Sequence, residues 1–387
     1  MSRGKPDFIL MFILLSLIGF GLVMVFSSSF YFGLSEKGDS YYYFKRQLAY
    51  AVLAVIALVV CMNINYKAYR KLLGLLFFLT VILLITVFFM PPTNGARRWI
   101  YLGSFSFQPS EIARVTAVMY AAHIFSKKQH RLQDFWRGLL PPLIVIGLLF
   151  LLIVFEPHFS SALILFCACT AIVFSAGVKK QHLFFLGAAS VPILIGFLLL
   201  KGYRVTRLHT FLDPFATSSD QGFQTVQSLY AIAPGGWTGV GLGNSIQKML
   251  YLPEAHTDFI FSIIAEELGF FGSCLLILFY FALFYRGFVI ALRAPDQFGL
   301  LLAVGLVTLV GVQVVLNIAV ATALVPVTGV TLPFISYGGT SLVINAAIGG
   351  ILLNISRHRA TKQVQKRAPK NKQPEKPRLT VIPTVTK

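Results

Sequence analysis

Long apolar stretches recur along the whole chain, each of roughly 20 residues, the length at which an α-helix crosses a hydrocarbon core about 30 Å thick. Helices are expected because a segment in lipid must satisfy its backbone hydrogen bonds internally. The pattern predicts an all-α, polytopic membrane protein with ten transmembrane helices. These lie near residues 8–28, 47–64, 72–90, 109–126, 139–155, 159–177, 183–201, 259–285, 298–323 and 334–356.

The composition excludes a soluble enzyme and a disordered chain. Of the 387 residues, 56% are hydrophobic and 12% charged, whereas soluble domains carry about 45–50% apolar and about 25% charged residues. All four cysteines lie within apolar stretches, which predicts packing in the core or against lipid and neither a disulfide framework nor a zinc site.

The net charge of +19 predicts the orientation in the membrane. Of the 33 basic residues, 23 fall on one predicted face, together with both termini. Because Lys and Arg accumulate on the cytoplasmic side, both termini are predicted to be cytoplasmic. The charge thus favours contact with anionic lipid and excludes nucleic acid as a partner. We expect a membrane domain over 1–359, located in the plasma membrane, and a disordered basic cytoplasmic tail over 360–387.

The longest predicted loop, residues 202–258, falls on the extracytoplasmic face, and long loops of this kind are usually functional. An amphipathic helix is predicted near 222–233. The basic residues Arg204, Arg207 and Lys248 are candidates for binding an anionic substrate.

Asp258 lies where this loop becomes the eighth predicted helix. Asp258, Ser262 and Glu266 follow at intervals of four residues, which predicts one shared helix face turned to the interior. The alternatives are a helix cap for Asp258 and, for Glu266 or Glu267, an ion pair or a charge that reaches the interface.

The outer loop between the third and fourth predicted helices, together with the start of the fourth, carries a second group of charges. Arg97 and Arg98 suit a diphosphate or carboxylate ligand, or alternatively lipid headgroups. Glu111 and Arg114 are three residues apart on the fourth helix and are predicted to pair.

Three further polar features lie along the chain. The segment 326–341, which contains Ser336, is rich in Pro, Gly and hydroxyls, and non-helical backbone at membrane depth indicates a site or gate. Gln313 and Asn317 form a polar stripe expected to join helices, and His158 has no metal partner at helical spacing. No nucleotide-binding or hydrolase motif is present in the sequence.

Taken together, seven segments of the chain resemble the SEDS (shape, elongation, division and sporulation) family, most closely its FtsW/SpoVE branch. They are residues 96–100, 107–111, 222–229, 241–244, 252–261, 266–269 and 326–339. Each segment alone is a weak signal, whereas their order and spacing on ten predicted spans together are specific to this family.

The resemblance implies a peptidoglycan glycosyltransferase that polymerises lipid II on the outer face together with a class B penicillin-binding protein. The essential acid of the family matches Asp258, which would act as general base on the acceptor sugar. The cationic role toward the leaving diphosphate is assigned to Arg97 and Arg98, with Arg204, Arg207 and Lys248 as weaker candidates.

Residues expected to shape the cavity are Glu111, Arg114, Glu254, Glu266 and Ser336. A divalent cation, Mg²⁺ or Mn²⁺, could share the cationic role, although no carboxylate cluster in the sequence specifies one.

Two departures from the family pattern stand out: His158 occupies a position where many relatives carry Asp, and Leu250 one where some carry Glu. Two alternative functions remain at this point, a lipid II transporter that uses the charges within the spans and a non-catalytic scaffold.

Overall fold

The computed structural model describes residues 4–92, 97–102, 105–156, 158–199, 202–217 and 222–358. The predicted tail over 360–387 lies outside these described residues. Within them the chain is mainly helical, with a short antiparallel hairpin of β1 (Ile100–Leu102) and β2 (Phe105–Phe107), in which Ile100 pairs with Phe107.

The α-helices follow one another along the chain with mostly short connections. In order they are α1 (Phe8–Lys37), α2 (Tyr42–Asn63), α3 (Tyr69–Val87), α4 (Pro109–Lys127), α5 (Leu140–Phe155), α6 (Phe159–Ser175), α7 (Lys180–Leu199), α8 (Gly202–Leu212), α9 (Phe223–Ile232), α10 (Ile260–Leu292), α11 (Gln297–Ala321) and α12 (Gly339–Arg357). Short helical turns cover Tyr66–Ala68, Gln129–Arg131, Phe135–Leu139 and Ala233–Gly235.

A helix lies over each of the ten predicted segments, namely α1 to α7 and α10 to α12. By length and composition, 7 helical stretches of the described chain can cross a membrane. They are Phe8–Lys37, Tyr42–Asn63, Tyr66–Val87, Phe135–Phe155, Ile260–Leu292, Gln297–Ala321 and Gly339–Arg357. The prediction of a mainly helical, multi-pass chain is confirmed, with the β1–β2 hairpin as an exception to an all-α fold, whereas ten crossings remain a prediction. The helix predicted near 222–233 is present as α9.

Four helix boundaries differ from the predicted ones by five residues or more: the ends of α1 and α10 and the starts of α2 and α12. α1 extends beyond residue 28 to Lys37, and the polar run it includes is satisfied within the helix, since the hydroxyls of Ser28 and Ser29 donate to the carbonyls of Met24 and Val25. α12 begins at Gly339 and not at residue 334, because the preceding backbone is held elsewhere: the Tyr337 N–H donates to the His256 carbonyl at 2.9 Å.

The core of the bundle surrounds α11, which packs against α4, α6 and α10. Small residues allow close approach between helices, as is common in membrane bundles. A side chain at Gly305 would collide with Val118 and Ile172, and one at Gly350 of α12 would collide with the Leu58 carbonyl of α2. These contacts fix the helices that carry the polar residues described below.

α10 is broken at Gly269, where the backbone adopts φ +65° and ψ −161°. A glycine-rich stretch of the loop between α9 and α10, residues 235–241, lies against the break and replaces the missing helical bonds. Val240 and Gly241 donate to the carbonyls of Glu266 and Glu267 at 2.9 and 3.1 Å, and Phe270 and Phe271 donate to those of Gly236 and Trp237 at 2.9 and 3.1 Å. The loop is therefore part of the helix ladder, as the low dielectric of a membrane requires.

The N-terminal segment and the last turns of α10 and α12 meet at one end of the bundle. Asp7 forms an ion pair with Arg286, and the Gly4 N–H donates to the Arg357 carbonyl at 3.0 Å. Lys67 pairs with Asp296 at 2.9 Å, between the start of α3 and the start of α11. This end carries the basic residues that the sequence assigns to the cytoplasm.

The loop insertion generates a stability prediction at Gly239. Its φ is +81°, and a Cβ there would meet the carbonyl group of Glu267 inside van der Waals contact. We expect Gly239→Ala to lower the free energy of unfolding, measured by thermal unfolding in detergent, by about 1–3 kcal/mol more than a control without that contact.

Gly243→Ala is the matched control. Its φ is +86°, so it incurs a similar left-handed strain of about 1–2 kcal/mol, but nothing lies within 4 Å of its Cβ position. Equal destabilisation by the two substitutions would contradict the packing of the loop against α10.

Candidate active site

A cavity of about 440 Å³ lies between the starts of α4 and α6, the turn before α10 and the segment before α12. This volume falls in the range typical of small-molecule sites. Its lining combines opposite charges with hydroxyls and amides. The charged members are Arg98, Glu111, Arg114, Arg207, Glu254 and Asp258.

Asp258 is held by hydrogen bonds to the backbone around it. The Asn317 Nδ2 donates to the carbonyls of both Asp258 and Val330, each at 2.7 Å. The Ser336 hydroxyl donates to the Thr257 carbonyl at 2.5 Å and accepts from the Leu332 N–H at 2.7 Å. The turn before α10 and the segment before α12 are therefore fastened together beside the carboxylate.

Close approach to the Asp258 carboxylate is possible because a glycine faces it. A Cβ at Gly329 would stand 3.4 Å from the Asp258 Oδ2. Because Gly329 has no side chain, the space beside the carboxylate stays open, and a ligand hydroxyl can approach it.

The electrostatic environment raises the pKa of Asp258 to about 7. Burial is the largest cause, because it disfavours the charged form, and the neighbouring charge of Glu254 adds to it. The positive charges of Arg98 and Arg207 act in the opposite direction. A carboxylate with a pKa near neutrality is suited to accept a proton at physiological pH.

Two of the predicted cations line the same cavity as Asp258. Arg98 precedes β1, and Arg207 lies on α8, where its guanidinium donates to the Val327 carbonyl at 2.8 Å. Both act on the Asp258 charge, which places them near the carboxylate. The structure thus brings together an acid and two guanidinium groups from three separate parts of the chain.

The other predicted cations are placed differently. Arg97 is exposed, and its guanidinium donates to the Phe88 carbonyl at 2.6 Å outside the cavity lining. Lys248 is buried and forms an ion pair with Glu267 at 2.7 Å, with a further bond to the Ser27 hydroxyl at 3.1 Å. The side chain of Arg204 lies outside the described residues.

Glu266 has a structural position and does not line the cavity. Its carboxylate accepts from the Ser245 hydroxyl and, at 2.8 Å, from the Ile246 N–H. Asp258, Ser262 and Glu266 do not form one wall, because α10 begins only at Ile260 and the Ser262 hydroxyl bonds to Ser228 of α9 at 2.6 Å.

Glu111 and Arg114 form the ion pair predicted for the fourth helix, and both line the cavity. Both side chains are almost fully buried, so the pair satisfies two charges that are otherwise costly at this depth. Glu254 is exposed, and its carboxylate accepts from the Thr257 hydroxyl at 2.6 Å.

Two elements of the site were not predicted from the sequence. His158 is buried in the cavity wall, where its Nδ1 lies 3.1 Å from the Ser110 hydroxyl and 3.2 Å from the Gln108 amide. Burial and the charges of Arg98 and Arg114 hold the pKa of His158 well below its ordinary value. Asn317 holds the Asp258 turn through its side-chain hydrogen bonds. The sequence signals this role only by an amide inside an apolar span.

The donor set does not specify a divalent cation. Among the described residues no group of three or more His, Cys, Asp or Glu side chains could hold a metal ion. Asp258 and Glu254 are two carboxylates that interact electrostatically. We therefore derive no step through a metal.

Comparison with known proteins gives full-length matches. The chain is 42% identical over 361 residues to stage V sporulation protein E of Bacillus subtilis (strain 168), covering 92% of this chain and 98% of that protein. It is 38% identical over 354 residues to the probable peptidoglycan glycosyltransferase FtsW of Geobacter sp. (strain M18), covering 90% and 96%.

Solved structures agree with the sequence matches. A chain from a study of "Structural coordination of polymerization and crosslinking by a peptidoglycan synthase complex" superposes with a TM-score of 0.74 at 27% identity, covering 92% of this chain and 98% of that one. RodA of Thermus thermophilus gives a TM-score of 0.67 at 26% identity, with 92% and 98% covered.

The family model described as cell cycle protein, which groups FtsW, RodA and SpoVE, matches residues 8–361. That range contains every helix of the structure and all the cavity residues. The chain belongs to this family, the SEDS proteins, and to its FtsW/SpoVE branch.

Proposed function

We propose that this chain is a peptidoglycan glycosyltransferase that polymerises lipid II into glycan strands at the extracytoplasmic face of the membrane. The observation that carries the proposal is Asp258, a carboxylate with a pKa of about 7 in a cavity that also contains Arg98 and Arg207. The names of the FtsW relatives support the reaction class.

In the proposed reaction Asp258 is the general base. It accepts the proton of the 4-hydroxyl of the acceptor N-acetylglucosamine while that oxygen bonds to the anomeric carbon of the donor N-acetylmuramic acid. The bond between that carbon and the diphosphate oxygen breaks, and undecaprenyl diphosphate leaves from the opposite face with the electron pair. Asp258 then releases the proton to solvent.

Arg98 and Arg207 stabilise the charge that develops on the departing diphosphate. A guanidinium presents several donors in a plane and suits phosphate oxygens. Arg98 is half-buried and Arg207 is exposed, so water screens the charge of Arg98 less than that of Arg207. The paired Glu111 and Arg114 then shape the cavity wall without adding net charge.

The predicted orientation agrees with this reaction. The basic end of the bundle, with Asp7 and Arg286, is assigned to the cytoplasm. The cavity lies near the starts of α2, α4 and α6, whose chain direction places it toward the opposite end. We propose a multi-pass plasma-membrane enzyme whose site faces outward and whose partner is a class B penicillin-binding protein, as the match to a peptidoglycan synthase complex suggests.

A lipid II transporter would use charges within the spans. In this structure those charges are paired or hydrogen-bonded inside the bundle. Glu111 pairs with Arg114, Glu267 pairs with Lys248, and Glu266 accepts hydrogen bonds from the outer loop. Because these charged groups have structural partners, their positions do not favour a lipid II transporter.

Substitution of Asp258 tests the proposal. We expect Asp258→Asn to reduce lipid II polymerisation by the purified protein with its penicillin-binding partner at least about 100-fold, because the amide cannot accept the proton. Glu254→Gln is the matched control: this neighbouring carboxylate is exposed, and the variant retains polymerisation. Full polymerisation by Asp258→Asn would contradict the proposed base.

The pH dependence of kcat/KM follows from the raised pKa of Asp258. Since the base must be ionised, activity should rise with pH to a plateau above an apparent pKa of about 7. Glu254→Gln removes a charge that raises this pKa, so the acid limb should move to lower pH. Arg207→Gln removes a charge that lowers it, so the limb should move to higher pH. Identical pH profiles of kcat/KM for the wild type and the two variants would contradict the assignment of the acid limb to Asp258.

The two cavity cations are tested by comparison with the exposed arginine beside them. Arg98→Gln and Arg207→Gln should each reduce kcat/KM for lipid II by about 10²–10³-fold, measured at the pH plateau of each variant. Arg97→Gln, whose guanidinium lies outside the cavity lining, should retain the wild-type value. An equal loss in Arg97→Gln would contradict the assignment, because it would show that lining the cavity does not decide which arginines contribute to activity.

A further inference from the structure

Glu156 is a buried acid for which the reaction above has no use. It follows the last residue of α5, and its side chain is 0% exposed. Among the described residues, neither of its carboxylate oxygens has a hydrogen-bond partner. A buried carboxylate without partners is costly when ionised, so its presence in a native structure requires a physical reason.

The surroundings of Glu156 favour its neutral form. Burial raises the pKa of Glu156 to about 8, and the nearby charge of Arg98 only partly opposes this effect. The carbonyl end of α5 is also the negative end of a helix dipole, which disfavours an added negative charge. At neutral pH the side chain is therefore mainly a protonated acid.

The cavity lining carries charged or titratable groups on the two helices packed against α5 and in the segment before β1. They are Glu111 and Arg114 on α4, His158 just before α6, and Arg98. Glu111 and Arg114 are paired with each other, and His158 is bonded to Ser110 and Gln108. Arg98 is the cation whose charge acts on Glu156.

Arg98 lines the cavity and interacts electrostatically with two acids: Asp258, which also lines the cavity, and Glu156, which does not. We propose that Glu156 is a positioning residue for Arg98: as a neutral acid it leaves the guanidinium facing the cavity, and as a carboxylate it draws the guanidinium into a buried ion pair. The identity of the anion that Arg98 meets, a lipid-linked diphosphate, rests on the proposed function.

The physical reason is competition for one positive charge. An ionised Glu156 in an apolar site must find a counter-charge, and the pair gains its energy only when the two groups are in contact. A diphosphate in the cavity needs the same guanidinium. Protonation of Glu156 removes the competitor, so diphosphate binding and protonation of Glu156 favour each other.

The first test measures the state of Glu156 without substrate. Because its folded-state pKa is raised above the ordinary value near 4.5, the unfolded state loses its proton first, and wild-type stability falls as pH rises from about 4.5 to about 8. Glu156→Gln should show a flatter dependence of Tm on pH, and should lack the infrared band of one protonated carboxyl group at pH 7. An unchanged Tm profile and infrared spectrum would overturn the proposal.

The second test measures binding of farnesyl diphosphate by calorimetry in detergent. The ratio of the wild-type Kd to the Glu156→Gln Kd should stay near one at pH 6.5 and rise to at least about fivefold at pH 9, where only the wild type has the competing carboxylate. The control is Glu36→Gln, which removes an exposed acid elsewhere, and its Kd ratio should stay near one at both pH values. A constant ratio for Glu156→Gln would overturn the proposal.

These measurements separate the inference from the proposed function, because neither requires polymerisation. If lipid II polymerisation fails but the Tm and Kd profiles respond as expected, only the reaction is wrong. Glu156→Met provides a second neutral variant in case the amide perturbs folding. Failure of both variants to fold would also contradict the proposal, since a group that is uncharged in the native state should tolerate a neutral replacement.

Discussion

Two adjacent carboxylates on α10, Glu266 and Glu267, anchor the loop between α9 and α10, on which the candidate site depends. Each is buried, so each needs partners, and the loop supplies them through Ser245, Ile246 and Lys248. Their carbonyls, released by the break at Gly269, are satisfied by the same loop. An unsatisfied polar group at membrane depth is costly, so these bonds hold the long connection between α9 and α10 as a fixed part of the bundle.

This anchoring sets the geometry of the chemistry. The fastened loop leads into the turn that carries Asp258, which Asn317 and Ser336 hold against the segment before α12. Arg98 and Arg207 then approach from other parts of the chain. The balance of burial and opposite charges brings the pKa of Asp258 to about 7, between a fully ionised carboxylate and a permanently neutral one. A proton acceptor and cations for a leaving diphosphate thus share one cavity.

The sequence predicted much of the fold, because membrane spans are long and their apolar character is unambiguous. The Glu111–Arg114 pair was also predictable, since helical spacing alone brings the two charges together. Lys248 was expected to bind substrate and instead pairs with Glu267, a contact that depends on how the loop folds back. The contacts of Asn317 and His158, and the burial of Glu156, likewise required tertiary structure, because helix order does not reveal which side chains meet.

The most direct measurement is a structure of the protein with an unreactive lipid II donor and an acceptor sugar bound. The account predicts the acceptor 4-hydroxyl within about 2.6–3.2 Å of the Asp258 carboxylate and the diphosphate in contact with the guanidinium groups of Arg98 and Arg207. An acceptor bound elsewhere, or a diphosphate on the far side of the cavity from these arginines, would contradict it.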